Sequence, residues 1–309
     1  MTQKTTPAPM TAAVWAQILT LGAIWGGSFF FARIAVAEIP PITLVLLRVG
    51  IAAAALHVFL AATGQSFAPA LRMAGPLVLL SLFNNVVPFS LIFMGQTELG
   101  AGLASVLNAT TPFWTALVAS AFLADEQLTV NKVAGVLIGI AGTAIMVGPG
   151  VLAGLGGPVW AKLFLVGASL SYAFAFILAK RITGLPPQLV AAGQLTASTA
   201  VMLPVALLVD GGQGLATASL GAWSAVLGLA LLATAFAYIL YFRIVAAAGA
   251  SNASLVTLIV PASAILLGTV FLAERLELFE LAGIAIIACG LVVIDGRLLR
   301  RRSRDAAVR

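Results

Sequence analysis

The sequence predicts an all-α membrane protein in which ten transmembrane helices form two inverted five-helix repeats. Three observations carry that prediction. First, the 309 residues are 61% hydrophobic and only 8% charged, with a mean hydropathy of +1.12, whereas a soluble domain averages about 25% charged residues. Second, apolar runs long enough to cross roughly 30 Å of hydrocarbon follow one another along nearly the whole chain. Third, each half closes on the same ordered spacing of proline, glutamate and glycine. The 30 Gly and 14 Pro are scattered through the apolar runs, where membrane helices tolerate them more than soluble helices do. The same composition excludes an intrinsically disordered chain.

The runs predict spans at 14–32, 42–62, 74–94, 101–123, 130–148, 159–179, 188–209, 221–242, 250–273 and 279–296. Polar or turn-forming residues separate them. The breaks are Glu38-Ile39-Pro40-Pro41, Gly64-Gln65-Ser66, Gln96-Thr97-Glu98, Asp125-Glu126, Gly148-Pro149-Gly150, Lys180-Arg181, Asp210-Gly211-Gly212, Arg243 and Glu274-Arg275. Such short connectors leave no room for a soluble catalytic domain. Ala35-Val36-Ala37 resembles a signal-peptide cleavage site, but the first run is too long for an h-region and only Lys4 precedes it, so the expectation is a retained anchor.

Charge sets the orientation. With the N-terminus cytoplasmic, Lys4, Arg72, Lys132, Lys180, Arg181, Arg243 and the six arginines of the tail lie inside, and Arg33, Lys162 and Arg275 lie outside. Twelve against three is a strong positive-inside bias. The net charge of +6 therefore reads as a cytoplasmic basic tail and not as a nucleic-acid surface. The expected organisation is a cytoplasmic tail over 1–13, a first repeat over 14–148, a periplasmic linker over 149–158, a second repeat over 159–296 and a basic cytoplasmic tail over 297–309. A lone Cys289 and a lone His57 exclude disulfide frameworks and multi-histidine or multi-cysteine metal sites, so no cofactor or metal is expected.

The halves align at a spacing near 148 residues. GLASVLNATTPFWTALVASAFLADEQL (102–128) matches SNASLVTLIVPASAILLGTVFLAERL (251–276). Pro112 and Pro261 each precede Phe-Leu-Ala by ten positions, and Glu126 and Glu274 follow. A glycine comes nine residues after each glutamate (Gly135, Gly283) and another comes sixteen after (Gly142, Gly290). In the weaker early match, Trp25 falls opposite Tyr172 and Arg48 opposite Gln194. An odd number of spans per repeat inserts the second half upside down, and such pairs place a site near the midplane between them.

On IWGGSFF, LLRVG, NNVVPFSLIFMGQ and the Pro-to-FLAxE-to-Gly pattern closing each half, the chain resembles the drug/metabolite transporter superfamily. The resemblance is to its ten-helix branch with two EamA-type repeats, and it spans about residues 14–296. It is similar to amino-acid exporters of the YddG type. The resemblance implies a basket of helices around a central cavity with the fifth and tenth spans peripheral, and a bacterial inner-membrane exporter of amino acids or related metabolites.

Polar groups within hydrocarbon are costly unless they face a cavity or a neighbouring helix, and their spacing selects the candidates. Asn84 shares a face with Pro88, with Asn85 beside it; Pro88 should free the Asn84 carbonyl one turn earlier. Asn108, Thr111 and Thr115 form a stripe around Pro112, and Thr257 and Pro261 repeat it in the second half. Trp25 and Ser28, Tyr172, and Thr234, Tyr238 and Tyr241 add aromatic faces and hydroxyls. Arg48 is a candidate carboxylate clamp, with snorkelling to the outer edge as the competing reading. Its mate Gln194 shares a face with Ser198. His57 lies about half a turn around the helix from Arg48, so one of the two should face away from the cavity. The Gly22-xxx-Gly26 and Gly135-xxx-Gly139 pairs predict close helix packing. No Asp or Glu is expected deep in a span, which points away from obligatory proton coupling.

The expected partners are a small-molecule substrate and the lipid bilayer. A multidrug or quaternary-ammonium exporter is the nearest alternative, and a membrane-embedded sensor or scaffold is the alternative from another class. An enzyme would need a Ser-His-Asp cluster or paired buried carboxylates, which one histidine and terminal acids do not supply.

Overall fold

The computed structural model describes residues 11–123, 129–147, 158–253 and 255–295. Glu126, the Gly148-Pro149-Gly150 break, most of the expected linker and both terminal tails lie outside these residues. The described residues are helices and their connections: α1 (Ala12–Val36), α2 (Pro41–Ala62), α3 (Ala74–Gln96), α4 (Ala101–Asn108), α5 (Thr111–Phe122), α6 (Val130–Val147), α7 (Val159–Arg181), α8 (Pro187–Val209), α9 (Leu220–Ala248), α10 (Val256–Leu272) and α11 (Leu278–Asp295). One-turn helices at Ala68–Leu71 and Ala250–Ala253 precede α3 and α10.

Six of these helices, α1, α2, α3, α7, α8 and α9, are long and apolar enough to cross a membrane; α6, α10 and α11 contain shorter apolar helices. The chain is a multi-pass membrane protein. Where one fourth span was expected, the helix breaks at Ala109–Thr110 into α4 and α5. Pro112 has no N–H to give the Asn108 carbonyl. That carbonyl instead accepts the Thr111 hydroxyl at 2.7 Å and the Ser169 hydroxyl of α7 at 3.1 Å.

Two of the long helices contain wide π turns, at Leu82–Val86 in α3 and Gly228–Phe236 in α9. The first changes which carbonyl Pro88 leaves unpaired. Val87 N–H bonds the Leu82 carbonyl five residues back; in that register the vacant acceptor is Phe83 and not Asn84 as the α-helical spacing predicted. The Ser171 hydroxyl fills it at 2.8 Å.

The halves interleave. α1 packs on α10 and its counterpart α7 packs on α4 and α5; α3 packs on α7 and its counterpart α9 packs on α1; α2 pairs with α8, and α6 with α11. Exchanging equivalent helices leaves this pattern unchanged. Close backbone approach makes the contacts possible. In α1, a Cβ on Gly26 would stand 2.6 Å from the Val260 carbonyl oxygen. Between α6 and α11 the repeat glycines meet each other: a Cβ on Gly135 would lie 2.8 Å from the Gly290 oxygen, and one on Gly283 would lie 3.0 Å from the Gly142 oxygen. These are the glycines whose spacing defined the repeat, and each fits because a side chain would drive two backbones apart.

Two charged groups near helix ends are buried. Lys162, expected at the outer end of the sixth span, lies in the first turn of α7, where its Nζ donates to the Met146 carbonyl at 3.0 Å and lies 5.4 Å from the Phe279 ring. The end of α6 offers it unpaired carbonyls. Glu280, in the first turn of α11, is also buried, accepting from Glu277 N–H at 2.9 Å.

Candidate functional site

α1, α2, α3, α4, α5, α7, α8, α9 and α10 enclose a central cavity of about 520 Å³. Helices from both halves contribute to its wall, because each half packs mainly against the other. Trp25, Ser28, Arg48, Asn84, Asn108, Thr111, Tyr172, Gln194 and Tyr238 all line it, as do Thr115, Thr234, Tyr241 and Thr257. Asn85 does not. It is fully buried beside the wall, with its Nδ2 3.5 Å from the Tyr238 hydroxyl. His57 also lies off the cavity, bonded to the Thr196 hydroxyl at 2.9 Å and edge-on to Phe67.

Arg48 is 7% exposed and does not snorkel. Its Nε donates to the Thr234 hydroxyl at 2.9 Å, and its guanidinium carbon lies 3.8 Å from the centre of the Phe89 ring. The π turn in α9 positions this acceptor, because the Thr234 hydroxyl in turn donates to the Leu229 carbonyl five residues back at 2.7 Å. Two contacts hold the guanidinium while its outer N–H groups have no protein acceptor and no carboxylate partner among the described residues. A cation in such a place concentrates field in a low-dielectric cavity and accepts planar, bidentate anions.

An amide relay links the repeats. Asn84 Nδ2 donates to Gln194 Oε1 at 2.9 Å and to the Tyr238 hydroxyl at 3.2 Å. Acceptors are left over: the side-chain carbonyl oxygens of Asn108, Asn85 and Gln96 are buried without a partner. Asn108 and Gln96 belong to the wall. A buried unmatched acceptor costs free energy unless a donor arrives; these oxygens are covered within the wall, whereas Arg48 presents a cationic donor at its surface. Rings complete it, with Trp25 and Tyr241 5.6 Å apart and Tyr238 stacked on Phe242 at 6.1 Å. Among the described residues, the lining contains no Asp, Glu or His.

Gln96 and the two rings around Arg48 were not foreseen. Gln96 stood in a predicted break, yet it is fully buried, with Nε2 donating to the Phe29 carbonyl at 2.9 Å. Phe89, Phe93 and Gln96 recur at i, i+4 and i+7, a pattern visible in the sequence but masked by the uniform apolarity of the run.

A family model described as the EamA-like transporter family matches residues 11–148 and again 159–295. Among curated relatives, a probable terminal-alkyne amino-acid exporter of Streptantibioticus cattleyicolor is 29% identical over 300 residues, covering 96% of this chain and 98% of its own length. The uncharacterised inner membrane transporter YedA of Escherichia coli K12 is 28% identical over 279 residues, covering 90% and 89%. A solved crystal structure shares the fold at a TM-score of 0.64 and 22% identity, over 95% of this chain and 99% of that one.

Proposed function

Because this chain belongs to the EamA-like transporter family, we propose that it is a secondary transporter exporting amino acids or related small zwitterionic metabolites by alternating access. The observation that carries the substrate class is Arg48: a buried guanidinium without a carboxylate partner among the described residues, lining a cavity whose wall also holds the Asn84 and Gln194 amides and the Tyr238 hydroxyl. A zwitterion leaving water must have both ends solvated. Arg48 would take the carboxylate, and Asn108 with the Asn84, Gln194 and Tyr238 relay would take the ammonium, while Trp25, Tyr172 and Tyr241 would face the side chain. Ser28 and Thr111 already donate to their own helices at 2.6 and 2.7 Å, leaving them acceptor lone pairs.

In this reading α4 and α5 together make the fourth of ten spans, and the two halves are inverted repeats. The antiparallel pairing of α2 with α8 and of α6 with α11 supports that arrangement. The twelve-to-three distribution of basic residues supports cytoplasmic termini, and the relative in Escherichia coli described as an inner membrane transporter supports that membrane. Substrate moves down its own gradient without obligatory proton coupling, since no titratable carboxylate or imidazole lines the cavity among the described residues. No enzymatic role is invoked. A cationic-drug exporter would set its substrate against the positive charge of Arg48 with no lining acid to offset it. The test is an uptake panel in proteoliposomes with several amino acids and one cationic dye, with and without imposed gradients. Uptake of the dye alone would overturn the proposal.

A further inference from the structure

Three helices that start at the same end of the molecule lack complete caps of their own. α2 follows Pro40 and α4 follows Gly100, and neither residue has a side chain that accepts from the first turn. α9 follows Ser219, whose hydroxyl accepts from Ala222 N–H at 3.2 Å and whose own N–H is left over. In each case a carboxylate from the other half supplies what is missing. Asp210 accepts from Thr43 N–H at 2.7 Å and from its hydroxyl at 2.8 Å. Glu274 accepts from Ala101 N–H at 2.7 Å and Gly102 N–H at 3.1 Å. Glu38 accepts from Ser219 N–H and from its hydroxyl, both at 2.7 Å, the reciprocal half of a capping box supplied from across the molecule. Each carboxylate satisfies orphan donors and meets the positive end of a helix dipole.

The fit around Glu274 is tight. Ala273 turns the chain through a left-handed backbone (φ 53°), and Glu274 settles against Gly100, where a Cβ would stand 2.6 Å from its carboxyl carbon. Arg33 closes the other side of the same loop, donating to the Gln96 and Thr97 carbonyls at 2.6 and 2.8 Å. The cavity wall ends beside these contacts, at Gln96 and Ser105. At its opposite end it runs out to Ala179, two residues before the end of α7, and Val190, three residues after the start of α8.

We propose that Glu38, Asp210 and Glu274 form a latch. By capping from one half the helices of the other, they hold this end shut while the Ala179 end stays open, and moving the halves apart here must break all three together. The inference rests on the chain being a transporter and not on which substrate it carries.

Site-directed labelling tests it without any substrate. In a Cys289→Ser background, place a reporter at Ser105→Cys or Ala179→Cys, and compare maleimide modification rates of the purified full chain with and without Glu274→Ala plus Asp210→Ala. Each lost cap should shift the balance roughly five-fold. The Ser105 reporter should therefore react faster by that factor or more, while the Ala179 reporter slows. Unchanged rates at both positions would overturn the latch. So would faster rates at both, which signal a loosened fold. Should the double variant not elute as a single species, Glu38→Ala alone must give the same reciprocal change at about five-fold.

Discussion

Replacing Arg48 with methionine separates a binding role from a packing role. Methionine keeps much of the side-chain volume and the contact with Phe89 but removes the charge. Its structural losses are a charged hydrogen bond to Thr234, about 1.5–3 kcal/mol, and a ring contact of about 0.5–2 kcal/mol. Set against these is relief from burying a cation without an anionic partner, an effective cost of several kcal/mol. The terms are of similar size, so the thermal midpoint in detergent should stay level or rise. Binding should behave differently. If the outer N–H groups grip a carboxylate, Arg48→Lys loses one charge-assisted bond and weakens binding by about 1.5–3 kcal/mol, roughly ten- to 150-fold. Arg48→Met loses more. The assay is uptake of an amino acid and of its decarboxylated amine by the same proteoliposomes: wild type should prefer the amino acid, and Arg48→Met should lose the preference at normal yield and stability. A preserved preference in Arg48→Met, or transport lost only in step with the folded fraction, would refute the clamp.

Alanine at Asn84 and Asn108 together should reduce transport strongly, each lost bond costing about 1–3 kcal/mol of binding, with elution unchanged; full uptake by the double variant would make these amides packing groups. Hydrogen bonds from the Ser219 N–H and hydroxyl hold the Glu38 carboxyl below the usual glutamate range. A depressed carboxylate contributes stability above its unfolded value that is lost as pH falls through the folded one, so melting curves of Glu38→Gln should lose part of the acid sensitivity expected of wild type below about pH 4.5. Gly290→Ala places a methyl carbon 2.9 Å from the Gly135 oxygen and should destabilise by about 1–3 kcal/mol, whereas Gly27→Ala, with 3.7 Å of clearance to Leu267, should be near neutral; equal melting temperatures for both would discount the backbone contact. A reporter active only in the periplasm, fused to the C-terminus, should be silent if the termini are cytoplasmic.

Long apolar periodicities made most of the helices legible before any coordinates. The ends were less so: α9 runs on to Ala248 past the predicted stop at Arg243, because an arginine at a membrane edge can snorkel and need not end a helix. The π turns were invisible, since nothing in LFNNV or GLALLATAF marks a change of register by composition. The wall residues found by polar spacing cluster around one cavity because polar atoms in apolar helices have few other places to go. Gln96, Glu38, Asp210 and Glu274 were read as punctuation between spans. The partners of the three acids lie in the opposite half and that of Gln96 in α1, more than sixty residues away, at separations that no local pattern encodes.

The α6–α11 contact has the form of an isologous interface, the kind that usually joins two copies of a subunit. Gly135 meets Gly290 and Gly142 meets Gly283 in antiparallel register, and exchanging the two repeats turns one contact into the other. A chain consisting of one repeat alone would carry a single copy of this surface and could satisfy it only by pairing with a second copy inserted the other way up. Joining both copies in one polypeptide fixes their ratio at one to one and frees each copy to change on its own. Arg48 facing a cavity wall that carries Gln194 at the equivalent place is one such divergence. It makes the pocket chemically polar from side to side, which two identical halves related by a two-fold axis could never be.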